Sequence, residues 1–152
     1  MDPNRCPSPS RWLVFASLAL ALVLPACGGS PATAGDPQLQ GDWVLVTGEG
    51  PDGPVLAPPS HPITLSIDDD RWSGTAACNR YEGRVELRGE QLTIHGLSAT
   101  EMACPEDGVM AAEAAYLAAF AAVTSATTDG SELVLRGPDV GLRFARPDPA
   151  AG

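Results

Sequence analysis

The sequence predicts one α+β domain in which a single helix packs on a curved antiparallel sheet, or on an incomplete barrel, of about seven short strands. Most of residues 39–147 consists of short segments in which apolar and polar residues alternate, and Gly, Pro or Asp ends each of them. Residues 109–123 have the helical period instead. At 152 residues, the chain is long enough for one compact core and short for two.

Residues 1–26 have the features of a secretory signal. Two arginines give the segment a positive start, and residues 12–24 form an apolar run that is short for a membrane span. The four residues that end at Cys27, LPAC, resemble a bacterial lipobox, in which the cysteine becomes the lipid-modified first residue of the mature protein. We therefore expect a lipid on Cys27. Cleavage after Ala26 without lipidation, which would leave a free thiol, is the alternative.

Residues 27–38 are predicted to be a flexible tether, because they are rich in Gly, Pro, Ala and Ser and have no apolar period. The lipoprotein modification supplies several acyl chains, and these hold a protein at a bilayer more stably than one chain does. The expected location is therefore extracytoplasmic, with the protein anchored to the cell membrane or to the outer membrane. Residues 148–152 are expected to be a disordered tail.

The charge balance argues against nucleic acid as a partner. The chain has 9 basic residues, all of them arginine, against 19 acidic residues, and its formal net charge at pH 7 is −10. Binding of nucleic acid requires a cationic surface, and so does adhesion to anionic lipid. Attachment to a membrane is therefore expected to depend on the lipid at Cys27.

Seven segments have the alternating pattern of a strand that is buried on one face. The first two are separated by residues 48–62, where repeated prolines cannot donate to a ladder and predict an irregular loop. The aspartates at 68–70 end the second strand, but they lack the ligand spacing of an EF-hand, so no metal site is predicted there. The predicted strands are residues 39–47, 63–67 and 71–77, the two arms of a hairpin over residues 84–95, and residues 132–136 and 141–146.

One helix is predicted over residues 109 to about 123, with Asp107 as its N-cap. Alanine, the best helix former, fills many of its positions. The segment lacks the basic polar face of an interfacial membrane helix, so packing on the sheet is favoured. The expected apolar stripe consists of Met110, Ala114, Leu117 and Ala121, flanked by Val109, Phe120 and Val123.

Cysteine usage predicts one disulfide. Cys6 lies in the segment that would be removed and Cys27 is the expected lipid anchor, which leaves Cys78 and Cys104. In an extracytoplasmic domain of this size, two remaining thiols favour a structural crosslink over a catalytic device. On the chain-entropy estimate, closing this loop would stabilise the fold by about 3 to 4 kcal/mol.

The segments GTAACNRYEG around Cys78 and TEMACP around Cys104 resemble the two most specific motifs of the META domain family, which includes the heat-inducible bacterial HslJ proteins. LQGDWVLV, VMAAEAAYLAAF, ELVLRG and GLRFARP match further motifs in the family's order, so the resemblance covers about residues 39–147. It implies a small α+β envelope domain, often carried by lipoproteins and linked to stress or drug tolerance. It implies no established reaction and no cofactor.

Asn79, Arg80 and Tyr81 are the candidate contact site, because arginine and tyrosine are enriched where proteins bind their partners. The expected partner is a lipid-like ligand or an envelope protein. A structural interpretation remains beside this one. In it, Asn79 hydrogen-bonds a turn, Arg80 lies at the surface, and Tyr81 packs its ring while its hydroxyl stays in water.

The expected function is that of a non-catalytic, membrane-anchored binding or accessory module in stress or antibiotic tolerance. The spacing of the histidines, cysteines and serines matches neither a metal site nor an activated nucleophile, so no metal, cofactor or catalytic residue is predicted. One alternative is a small hydrolase, whose cleft would hold carboxylates with strongly raised pKa values. The other is an envelope protease inhibitor that presents residues 48–62 as a rigid loop.

Overall fold

Antiparallel pairing joins the strands of the described chain into one sheet, and one helix packs on it. The computed structural model describes residues 30–31, 36–89 and 91–148. Within this part, nine strands follow one another in hydrogen-bonded order and a tenth, two-residue strand pairs beside them. In chain order the elements are β1 Ser30–Pro31, β2 Gly41–Gly50, β3 Gly53–Pro54, β4 Thr64–Asp68, β5 Arg71–Ala76, β6 Asn79–Arg88, β7 Gln91–Ala99, α1 Val109–Ala121, β8 Ser125–Thr128, β9 Glu132–Gly137 and β10 Val140–Ala145.

The sheet is partly ring-like. Its strand order is β1–β8–β7–β6–β5–β4–β2–β10–β9, with β3 beside β2, and a further ladder pairs β8 with β9. Among the described residues, the ladder between β7 and β8 is a single pair, Gln91 with Ser125, beside one backbone hydrogen bond from Leu92 to Thr124, and the ring is not a barrel. The helix packs against β2, β5 and β10. The predicted α+β class, with one helix on a curved antiparallel sheet, is therefore confirmed for the described residues.

The predicted count of about seven strands is too low, because the additional strands lack an alternating apolar pattern. β1 and β3 are two-residue pairings in segments rich in Gly and Pro. β1 lies within the predicted tether, and its backbone pairs with Thr127 and Thr128 of β8. The sequence of β8 is SATT, small and polar, yet Ala126 is fully buried and Thr128 is 3% exposed. These strands form because neighbouring strands supply hydrogen-bond partners, which a local pattern does not reveal.

The core lies between the inner face of the sheet and α1. Its largest side chains come from both layers: Trp43, Leu65 and Trp72 from strands, and Tyr116 and Phe120 from the helix, each at most 1% exposed. The ring centroids of Trp72 and Phe120 are 6.3 Å apart. Aromatic pairs at such distances stabilise a core beyond the area that they bury.

The predicted apolar stripe of the helix is only partly correct: Val109, Phe120 and Val123 are buried as expected and Leu117 is partly buried, but the other three residues face away from the sheet. Met110 is 41% exposed, and Ala114 and Ala121 are also exposed. Since alanine lies on all sides of this helix, an apolar stripe could be drawn through more than one face. The expected cap is also wrong, because the residue before the first turn is Gly108, with a φ of 81°, and no side chain caps the helix. The helical residues that are buried are Val109, Ala112, Glu113, Tyr116, Ala119 and Phe120.

Arg146 ties the end of β10 to the segment that precedes β2. Its guanidinium donates to the carbonyl oxygens of Gln38 and Gln40, both at 2.7 Å, and its Nε donates to Gly130 at 3.2 Å. The guanidinium carbon lies 3.7 Å from the centroid of the Trp43 ring, a cation–π contact. One planar side chain therefore satisfies three backbone carbonyls and covers a core tryptophan.

We expect Arg146→Lys to lower the free energy of unfolding by about 1 to 3 kcal/mol, because an ammonium cannot reproduce the planar fork of donors. The measurement is urea denaturation. Arg143→Lys is the matched control: Arg143 lies on β10, three residues before Arg146, but its side chain is 54% exposed and is only ion-paired with Glu132 at 3.5 Å. Its replacement should cost less than about 1 kcal/mol. Equal losses of unfolding free energy for the two variants would contradict the stabilising role assigned to the Arg146 guanidinium.

Candidate functional site

Cys78 and Cys104 form the predicted disulfide, with their Cα atoms 6.0 Å apart. Cys78 is the second residue of the two-residue turn between β5 and β6, and Cys104 lies in the loop between β7 and α1. The bond therefore holds that loop against the β5–β6 hairpin. The two cysteines are 26 positions apart, so on the chain-entropy estimate the crosslink contributes about 3.5 kcal/mol.

Asn79 is 1% exposed, and its side-chain amide makes all four of the hydrogen bonds that it can make. Its Nδ2 donates to the Met102 carbonyl and to Oε1 of Glu113, both at 2.9 Å. Its Oδ1 accepts from the Met102 N–H and from the Thr100 hydroxyl, both at 2.7 Å. The backbone N–H of Asn79 donates to the second oxygen of Glu113 at 2.6 Å. Asn79 thus connects β6, the loop after β7 and the helix.

Glu113 points into the protein and is 7% exposed. A carboxylate that leaves water loses much of its hydration, and buried donors must compensate for that loss. Asn79 supplies a donor to each carboxylate oxygen. The expected helical stripe did not include Glu113. The sequence feature that could have pointed to its burial is that Glu113 is the one charged residue in an alanine-rich helix.

Tyr81 is 2% exposed, and its hydroxyl is enclosed. It donates to the Thr64 carbonyl at 2.9 Å and lies 2.6 Å from the Tyr116 hydroxyl, which must therefore be the donor of that pair. Burial raises the pKa of Tyr81, and its hydrogen bond with Tyr116 opposes part of this rise. Burial, with Tyr81 beside it, raises the pKa of Tyr116 well above its usual value. The expectation that the Tyr81 hydroxyl stays in water is therefore wrong.

Arg80 is the only one of the three candidate contact residues whose side chain is exposed. It lines a groove of about 660 Å³ on the outer face of the sheet. We call this the outer groove. Its walls are two rows of outward-facing side chains that cross several strands. The first row is Asp42, Ser66, Ser73, Glu82 and Ser98, and the second is Thr64, Thr75, Arg80 and Thr100.

The backbone at the floor of the outer groove is closely packed at Gly74. A Cβ atom at this position would lie 2.0 Å from the Thr64 carbonyl oxygen, which is the acceptor for the Tyr81 hydroxyl. Only glycine allows that approach. The same contact therefore joins the floor of the groove to the buried tyrosine pair.

Several polar groups in the outer groove have no partner within the described residues. The guanidinium of Arg80 and the carboxylate of Asp42 make no ion pair there, and Glu82 is paired weakly with Arg71 at 3.8 Å. The hydroxyls of Ser66, Ser73, Thr75 and Ser98 make no hydrogen bond to any described residue. The groove can therefore offer donors and acceptors to a ligand without first breaking internal contacts.

Some of the remaining sequence predictions concern residues outside the described part of the chain. Residues 1–26 and Cys27, the predicted lipid-attachment residue, lie outside the described residues. Across residues 36–89 and 91–148, no group of three or more His, Cys, Asp or Glu side chains is arranged to hold a metal ion. In the same ranges, no helix has the length and apolar character needed to cross a membrane.

We expect Glu113→Ala to lower the free energy of unfolding by about 2 to 4 kcal/mol, because two N–H donors of Asn79 would be left buried without an acceptor. Thermal and urea unfolding measure this loss. Glu106→Ala is the control, since Glu106 is an exposed residue of the preceding loop and its removal should change stability by less than about 0.5 kcal/mol. Similar stabilities for the two variants would show that the buried network contributes little.

The chain matches the model of a known protein family and is similar to solved structures. The family model described as META domain matches residues 37–148. An NMR structure of a protein from Burkholderia xenovorans is similar at 26% identity and a TM-score of 0.62, over 88% of this chain and 99% of that chain. A crystal structure of a DUF4847 family protein from Bacteroides vulgatus has a TM-score of 0.52 at 15% identity, over 72% of this chain and 94% of that chain, and this likeness shows the fold alone. No curated protein sequence matches the chain.

Proposed function

This chain belongs to the META domain family, and we propose on that basis that it is a non-catalytic binding or accessory module of the bacterial cell envelope. In this proposal a lipid on Cys27 holds the protein at the cell membrane or the outer membrane. The domain binds a ligand or an envelope protein through the outer groove, and this binding supports tolerance to stress or antibiotics.

The outer groove is the observation that carries the binding role. Its volume of about 660 Å³ is in the range of small-molecule sites, roughly 300 to 1,000 Å³. Hydroxyl and charged side chains without internal partners line it. The disulfide and the contacts of Asn79 hold the strand that carries Arg80, and a site held in advance loses less entropy when a ligand binds.

Arg80 is the proposed contact residue, whereas Asn79 and Tyr81 are proposed to position it. Asn79 and Tyr81 are buried on either side of Arg80 along β6, and both are hydrogen-bonded to other parts of the domain. Because side chains alternate along a strand, burial of these two directs Arg80 outward. The candidate contact site thus divides into one exposed residue and two supporting residues.

Two exposed carboxylates outside the outer groove have lowered pKa values and do not suit the acid of the hydrolase alternative. The side chain and charge of Arg88 lower the pKa of Glu86. Hydrogen bonds from Glu132 and Ser131 lower the pKa of Asp129. A general acid at neutral pH requires a raised value instead. Glu86 forms an ion pair with Arg88, and Asp129 accepts hydrogen bonds within a turn.

We expect Cys27→Ser to move the protein from the membrane fraction to the soluble extracytoplasmic fraction, because the thiol that accepts the lipid would be missing. Cell fractionation with immunoblotting measures this, and mass spectrometry of the N-terminal peptide identifies the lipid. Cys6→Ser is the matched control, since Cys6 lies in the segment expected to be removed, and this variant should stay with the membrane. An N-terminal peptide of the unchanged protein that carries no lipid in mass spectrometry would rule out the anchor.

We expect Arg80→Ala to abolish the protein's contribution to heat or antibiotic tolerance in a strain that has no other copy, because the contact residue of the outer groove would be lost. Its melting temperature should change little, since the side chain is exposed. Arg136→Ala removes an exposed arginine outside the groove and should restore tolerance as well as the unchanged protein does. Full tolerance with Arg80→Ala would contradict the proposed role of the groove.

A further inference from the structure

We propose that the ligand of the outer groove is an extended peptide of four or five residues with an ammonium group at one end and a carboxylate at the other. This inference rests on the proposed binding function and adds the chemical class of the ligand. It depends on the sign of the unpaired charges, on the distance between them and on the groups that lie between them.

The unpaired charges of the groove have opposite signs and lie on different strands. Arg80 is on β6 and Asp42 is on β2, and both side chains are exposed. Of the seven described arginines, Arg80, Arg136 and Arg146 have no acidic partner among the described residues, and Arg146 donates to backbone carbonyls instead. Four other arginines form ion pairs with nearby carboxylates, namely Arg71 with Glu82, Arg84 with Asp70, Arg88 with Glu86 and Arg143 with Glu132. Arg80 is therefore available to an anionic group of a ligand, and Asp42 to a cationic one.

The strand register gives the approximate separation of the Cα atoms of these two residues. Asp42 pairs with Ser66, Ser66 with Ser73, and Ser73 with Glu82, which makes three steps between neighbouring strands. Arg80 lies two positions before Glu82 in the chain and on the same face of β6. With about 4.8 Å between strands and about 3.4 Å per residue, the two Cα atoms are roughly 16 Å apart along the sheet. An extended peptide of four or five residues spans at most about 14 to 18 Å.

The groups between the charges suit a peptide backbone. The hydroxyls of Ser66, Ser73 and Thr75 lie between Asp42 and Arg80 and have no partner among the described residues. A hydroxyl can donate to a carbonyl and accept from an N–H, so it matches both groups of an amide. A peptide that crosses the strands would meet a polar side chain about every 4.8 Å.

An acyl chain fits this groove less well. Every residue that lines it, apart from Gly74 and Ala99, carries a hydroxyl or a charge. Burial of methylene groups against such a surface would remove water from polar groups without giving them new partners. The lining therefore favours a peptide over the lipid-like ligand that was one expectation from the sequence.

The test measures the affinity of the full chain for tetra-alanine by isothermal titration calorimetry, with amide NMR shifts to locate the binding. The probes are tetra-alanine with free termini, its N-acetylated form and its C-amidated form. Free tetra-alanine should bind and shift the amides of Ser66 and Ser73. Each cap should weaken binding by about two- to fivefold, as expected for the loss of one exposed ion pair.

Two variants assign each end of the peptide. In Arg80→Ala, amidation of the carboxylate should no longer change the affinity, while acetylation should still weaken it. In Asp42→Asn, acetylation of the amine should no longer change the affinity, while amidation should still weaken it. Such pairwise comparisons isolate the contact between one side chain and one terminus. Arg136→Ala should behave like the unchanged protein, because Arg136 lies outside the groove.

Equal affinities for the free and capped peptides, or no binding of tetra-alanine, would overturn the peptide inference. The proposed binding function would survive that result if maltotetraose or lysophosphatidylglycerol micelles shifted the same amides and Arg80→Ala prevented the shift. The proposed binding function would also fail if no probe shifted the amide signals of the groove and the Arg80→Ala variant restored full tolerance to the strain.

Discussion

Burial of the Glu113 carboxylate is the constraint on which the arrangement of this domain depends. An acidic side chain that is removed from water needs donors in fixed positions, and here Asn79 supplies both of them. The requirement sets which face of the helix meets the sheet. It also places the start of β6 against the helix, and the side-chain amide of Asn79 then holds the loop through Thr100 and Met102. The disulfide attaches the same loop, through Cys104, to Cys78, which is the residue before Asn79.

The buried network determines the outer groove through the alternation of β6. Asn79 and Tyr81 face inward because their polar groups have partners there, so Arg80 and Glu82 face outward on the same strand. The Tyr81 hydroxyl reaches the Thr64 carbonyl, and the absence of a side chain at Gly74 permits this contact. Core and groove are therefore opposite faces of the same strands, and a change in the buried contacts would move the groups that a ligand meets.

A second set of contacts fixes the other end of the sheet. Arg146 joins the carbonyl oxygens of Gln38, Gln40 and Gly130 and lies over the ring of Trp43. Its partners are far from it in the chain, so this contact closes the domain where β2 begins and β10 ends. The outer groove lies on strands that are held at one end by the disulfide network and at the other by this arginine. A frame fixed at both ends suits a site that binds without large rearrangement.

The sequence by itself determined the α+β class, the single helix, most of the strands and the cysteine pair, because alternation, helical period and cysteine count are local or countable properties. It did not reveal β8, whose small polar residues become a strand only beside β9, or the buried face of an alanine-rich helix. Tertiary structure alone decided that Asn79 and Tyr81 are buried and that Arg80 shares a groove with Asp42. The physical reason is that the burial of a polar group depends on partners supplied by distant segments, and a groove that crosses five strands exists only after those strands have paired.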